Sequence, residues 1–259
     1  GSNLGDWILH VVPDGRPQFL ALFGGAAALG LTYLVLVLVL TYGQQHRSEA
    51  PSPPAYRLLV RHWPGMVVLV ALVMGLGICV TTVFLTRFAT SRQMEGIGVF
   101  FTGYAISAFV FRISVQNWGR SIGRHWMLVR GVIGHAVGHF MLAYATHSWH
   151  FILPSILCGF GHALLFPGVV SLGAGAFPKQ ARGTGTAVTL AFVDFGSMLF
   201  APLLGQLIVA YGFRTMFLTS SAITLVVAAI YCVVAVRYPD EEAMGHTGGW
   251  ELGSRGTRE

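Results

Sequence analysis

The chain has 259 residues, 54% of them apolar and only 10% charged, with a mean hydropathy of +0.66. A water-soluble domain carries roughly 25% charged residues, so too few charges are present to coat a water-facing surface, and an integral membrane protein is the direct reading. The net charge of +6 does not indicate nucleic acid, because the basic residues sit in short turns between apolar runs and form no patch or aromatic-interleaved stripe.

The opening GSNLGDW has neither a Met nor the basic n-region of a signal peptide, and reads as the start of a fragment. A membrane helix needs about 20 mostly apolar residues. Seven stretches qualify: residues 18–42, 64–86, 97–117, 126–146, 149–176, 184–211 and 214–236. The alternation of a β-barrel is absent, and helices satisfy their own backbone groups in lipid. The expected fold is therefore an all-α membrane bundle. Between the first two spans, residues 43–63 are polar, Pro-rich and basic and read as a linker. After Val236, residues 237–259 lack a periodic apolar face and read as a disordered tail.

Lys and Arg mark cytoplasmic loops. Eleven lie on one side of the expected bundle and four on the other. That bias places the N-terminal end outside and the C-terminus in the cytosol. Cys79, Cys158 and Cys232 all fall inside apolar runs and lack paired spacing, so neither a disulfide framework nor a metal knuckle is expected.

Two charges stand well inside the spans. Arg112 lies in the third, and Asp194 in the sixth is the single charged residue between Gly183 and Phe213. A lone acid in so long an apolar run is costly to bury and marks a functional site. Arg112 comes roughly 8 Å and Asp194 roughly 15 Å from the same end of the bundle at 1.5 Å per residue. Side chains lean toward their own helix N-terminus, so the two lean toward each other. A pair, direct or through water, is expected, either as a static link or as a couple that separates when the acid takes up a proton.

GHAVGH puts His135 and His139 one turn apart in the fourth span, followed by His147, His150 and His162. The spacing suits a metal or haem, and an intramembrane His-ligated enzyme is one alternative function. Further paired His clusters and acidic ligands are missing, so satisfied core or interface histidines are expected, with no metal and no cofactor. A non-transporting membrane scaffold is the other alternative. No phosphate-binding glycine loop of the nucleotide type is present, so direct ATP drive is not expected.

Two stretches resemble each other: LGDWILHVVPDGRPQFL from Leu4 and LGQLIVAYGFRTMFL from Leu204. Each has a turn with Gly and Arg leading into an apolar span. Parallel six-helix repeats are one transporter architecture, which makes the first span the last helix of an earlier bundle.

Three further stretches carry a family resemblance. In VFFTGYAISAFVFRISVQNWGRSIGRHWML, Arg112 is the helix Arg, and Arg120, Gly123 and Arg124 form the turn that follows. LCGFGHALLFPGVVSL contributes Gly159, Gly161 and Pro167. FPKQARGTGTAVTLAFVDFGSMLFAPLLG contributes Arg182, Gly183, Asp194, Gly196, Pro202 and Gly205. Together they resemble the C-terminal half of the major facilitator superfamily (MFS), in particular its bacterial efflux-permease type. Gln116 stands where the family has Gly and Gly119 where it has Asp, so the Asp-mediated latch of such turns lacks its acid here.

The resemblance implies an MFS-type six-helix bundle over 64–236, preceded by one helix (18–42) of the N-terminal bundle and by residues 1–17 as its outer end. It implies that the second, third, fifth and sixth spans line a central cavity, with Arg112 and Asp194 on lining helices. Tyr104, Thr82 and Gln206 are the candidate substrate contacts. Gly159, Gly161, Pro167, Gly196, Pro202 and Gly205 are the packing or hinge positions. The expected function is secondary active transport of a small solute by alternating access, as proton-coupled efflux or antiport in a bacterial inner membrane. The expected partners are the solute, protons, the bilayer and the N-terminal bundle of the same chain, with no nucleic acid and no enzymatic activity.

Overall fold

The computed structural model describes residues 11, 15–42, 54–94, 96–115 and 123–237. Helices account for nearly all of them, and no strand occurs among the described residues. Helix α1, Arg16–Thr41, belongs to one compact unit, and the residues from Pro54 onward form the other.

The second unit begins with a short helix, α2 (Ala55–Arg61). Next come α3 (Val67–Ser91), α4 (Gly98–Ser114) and α5 (Arg124–Leu142). A 3-10 turn at Ser148–Phe151 leads into α6 (Ile152–Gly175). The last helical run, Arg182–Arg237, breaks at Gly212 (φ 82°, ψ 173°). It is two helices, α7 (182–211) and α8 (213–237). That backbone region is essentially open to glycine alone. Gly15, with φ 101° and ψ −145°, enters α1 in the same region. The two stretches whose sequences resemble each other thus share a glycine turn ahead of the helix.

By length and composition, Phe19–Thr41, Val67–Ser91, Ser148–Gly175 and the run holding α7 and α8 can each cross a membrane. α4 is shorter, with 17 residues. α5 carries Arg130, His135 and His139 along its length. Each of the seven expected spans contains a helix. The second extends past its expected end because Arg87 turns outward while Phe88 stays buried, so the helical register continues through the charge.

The core has two layers at opposite ends of the bundle. One is aromatic: Phe84, Phe88, Phe100, Phe151 and Phe217 meet, with Phe88 and Phe217 edge-on at 5.2 Å. The other is built from Val67, Val70, Val73, Val129, Val132, Val169 and Val193, with Met74 and Tyr231. Among the membrane-length helices of this unit, α3 is the most enclosed. Its turn at Val80–Phe84 is a π-helix. There Thr81 donates to the Gly77 and Ile78 carbonyls at 3.0 and 3.1 Å, and Thr82 to Ile78 at 2.7 Å. Such bonds satisfy carbonyls that the wider turn frees.

Small residues set the closest crossings. Gly131, Gly134 and Gly138 of α5 face Leu165, Phe160 and Cys158 of α6. Gly75 of α3 meets the α7 backbone at Val193 and Ser197, and Gly196 meets Leu72. With no side chain at these positions, backbones approach closely enough for dispersion to hold the helices without help from water. Half-buried and buried hydroxyls add bonds between helices: Ser197 Oγ donates to the Gly75 carbonyl and Ser221 Oγ to that of Ala136, both at 2.8 Å.

The expected linker is corrected in part. Residues 43–53 lie outside the described residues, but the stretch from Ala55 folds as α2. Its Leu58 is buried against Phe177 and Ala181, and His62 lies 6.2 Å from the Phe177 ring. The expected outer end, 1–17, lies almost wholly outside the described residues, and the tail does so from 238.

Candidate functional site

α4 and α6 cross at Gly159, whose missing side chain leaves room for the Tyr104 backbone and for Ser107. Ser107 Oγ donates to the Ile156 carbonyl at 2.7 Å and fixes the register of the two helices. That register builds a row of rings. Tyr104 stacks beside Phe100 at 6.1 Å and lies 5.7 Å from His162. His162 and Phe166, one turn apart on α6, are 5.8 Å apart. Arg112, two turns beyond Tyr104 on α4, holds its guanidinium 5.6 Å from the Phe166 ring centroid. The electron-rich ring face attracts the cation. It does not neutralise it.

Asp194 is placed differently from the expectation. It is exposed on α7, on a stripe with Ala187, Ala191, Met198, Pro202 and Gln206. Its neighbours Val193 and Gly196 turn the other way, onto α3. The expected direct ion pair with Arg112 is not formed, and neither residue makes an ion pair with a described residue. The depth of each charge was readable from span position. The rotation of α4, which turns Arg112 onto Phe166, was not.

The other expected site residues are scattered around this row. Tyr104 is half-buried within it. Thr82 is exposed on the π-turn of α3, its hydroxyl already bonded to Ile78. Gln206 is exposed on the Asp194 stripe, three turns further along α7. Arg120 lies outside the described residues, as do Gln116 and Gly119. Gly123 (φ 89°) starts α5, and Arg124 Nη1 reaches Ser171 Oγ of α6 at 3.4 Å. Gly161 seats His135, whereas Gly205 faces open space. Pro167 and Pro202 stand inside continuous helices, each removing one backbone donor. An apolar recess of about 550 Å³ between α4 and α6 is lined by Val99, Ile106, Val110 and Ile152, which are not the residues of the ring row.

The reading of His135 and His139 as satisfied core or interface residues is corrected. Both are buried, and none of their four ring nitrogens has a hydrogen-bond partner. Sequence reasoning also passed over His162 and Phe166 as partners for the α4 charge. Their signal was the i, i+4 spacing of a polar and an aromatic ring just after Gly159 and Gly161.

The profile of the Major Facilitator Superfamily matches residues 88–258. The chain is similar to the riboflavin transporter MCH5 of Saccharomyces cerevisiae, with 30% identity over 115 residues, 42% of this chain and 22% of that protein. It is similar to the uncharacterized MFS-type transporter YhhS of Escherichia coli K12, with 22% identity over 223 residues, 84% of this chain and 55% of YhhS. YhhS of Salmonella paratyphi C is 22% identical over 197 residues, 75% of this chain and 48% of that protein. The chain spans about half the length, or less, of the curated relatives it matches. An all-helical multi-pass membrane bundle, matched by that profile over more than half its length, belongs to the Major Facilitator Superfamily.

Proposed function

We propose that the protein is a secondary active transporter that moves a small solute across the cell membrane by alternating access, coupled to protons. In this reading, residues 64–236 are the second of two six-helix bundles, and residues 18–42 are the last helix of the first. Residues 237–259 form a cytoplasmic tail, and the N-terminal end lies outside. The solute and its coupling ion travel past α3, α4, α6 and α7.

The observation that carries this proposal is the pair of charges on membrane helices that lack an ionic partner among the described residues. A guanidinium or carboxylate facing acyl chains costs at least about 2.5–3.5 kcal/mol, so both are better placed on a water-filled path. Arg112, backed by Phe166, His162 and Tyr104, suits a solute with an anionic group and a flat apolar body.

Asp194 supplies the proton site. An ionised carboxylate is stabilised beside a guanidinium and destabilised in a dry site without one. When the solute's anionic group takes Arg112, Asp194 is left without its countercharge and binds a proton. When the solute leaves, Arg112 is free to draw on Asp194 and the proton is released. The two charges therefore meet in one state of the cycle and part in the other.

The test uses the intact protein in vesicles with a pH-sensitive dye inside and a panel of small aromatic carboxylates outside. Transported members of the panel should move protons in the wild type. Asp194→Asn should abolish that movement while solute exchange at equal concentrations continues. Arg112→Ala should abolish both. Unchanged proton-driven transport by Asp194→Asn would remove the coupling role.

A further inference from the structure

His135 and His139 lie one turn apart on α5, and Cys158 faces them from α6. Their exposures are 3%, 0% and 0%. Their donor atoms all lie within 4.8 Å of one another. The room between them comes from glycines: a Cβ on Gly77 of α3 would stand 2.8 Å from His135 Nδ1, and Gly138 abuts the Cys158 sulfur. Both rings leave their nitrogens without a hydrogen-bond partner, and a buried polar group left unsatisfied is destabilising. Two imidazoles and a thiol are thus brought together from two helices.

We propose that His135, His139 and Cys158 form a binding site for one copper(I) ion, separate from the Arg112 and Asp194 pathway. Thiolate and imidazole donors select soft or borderline metals such as Cu(I) and Zn(II). Charge decides between these two. A thiolate with two neutral imidazoles cancels a monovalent ion, so the filled site is neutral. A divalent ion would leave one positive charge buried, and the single carboxylate among the described residues, Asp194, is exposed on α7. Metal–nitrogen bonds near 2.0 Å and metal–sulfur bonds near 2.3 Å place three donors roughly 3.5–3.8 Å apart, a distance that modest side-chain rotations reach from the present spacing. On binding, the Cys158 S–H bond breaks, a copper–sulfur bond forms and the proton leaves to solvent. Copper enters and stays as Cu(I), so no electron is transferred.

The test titrates protein purified in detergent with buffered copper(I) under reducing conditions and reads the product by copper K-edge X-ray absorption. One copper per chain is expected, with one sulfur and two nitrogen neighbours. Cys158→Ser should remove the sulfur and weaken binding by more than about 100-fold, beyond the loss seen when an outer partner is removed. Cys79→Ser, in the same core cluster, should change neither. The wild-type spectrum decides even if a variant fails to fold. Absence of copper binding, a sulfur-free shell, or preferential filling by zinc(II) in a parallel titration overturns the proposal.

Discussion

Single side chains hold this bundle together by bonds that lipid cannot replace. Ser107 is buried and donates to the Ile156 carbonyl at 2.7 Å, at the crossing that sets Tyr104 beside His162. Hydrogen bonds of this kind in membrane helices average about 0.6 kcal/mol. Ser107→Ala should therefore lower the thermal unfolding midpoint in detergent only slightly. Its larger effect should fall on solute affinity, because the ring row loses its fixed register. A binding titration of wild type against Ser107→Ala separates the two effects. What the sequence revealed here was the anomaly of each charge, since Arg112 and Asp194 interrupt apolar runs. It could not reveal their partners. Whether Arg112 turns toward α7 or lies over Phe166 depends on helix rotation, and that is set by contacts such as Gly159 against Tyr104, which are far apart in the chain.

Helices were the most legible feature, because lipid demands about 20 apolar residues and a satisfied backbone. Seven spans follow from that demand alone. α2 was missed because seven residues are too few for a periodic signal, and its one buried residue, Leu58, gains its partner from Phe177. The π-turn of α3 was equally hidden, since VTTVF reads as ordinary helix until the Thr81 and Thr82 bonds are seen. The crossing of α3 and α7 offers a clean test of element packing. Gly75→Val should destabilise by about 1–3 kcal/mol or more through overpacking, because the Val193 carbonyl and the Ser197 amide stand where its side chain must go. Gly205→Ala, which meets nothing within 4 Å, should be neutral or stabilising by up to about 1 kcal/mol. Thermal midpoints of the two variants in one detergent check both.

For the molecule as a whole, an aromatic layer closes one end of the bundle and a valine-rich layer fills the other, while α7 keeps an open stripe bearing Asp194. The family was readable from three weak motifs in the right order, because glycine positions and intramembrane charges answer to geometry that unrelated substrates share. The substrate was not, because in the proposed mechanism solute recognition rests on where Tyr104, His162, Phe166 and Arg112 point together. The central proposition is that the Asp194 stripe borders water and not acyl chains. Labelling Asp194→Cys in the intact protein, in a Cys232→Ser background, with a membrane-impermeant thiol reagent measures this directly. Position 194 should react readily, and a cysteine at Val226, exposed in the middle of α8, should react far more slowly. A cysteine at 194 that resists the reagent as fully as one at 226 would place the acid against lipid and contradict the transport mechanism.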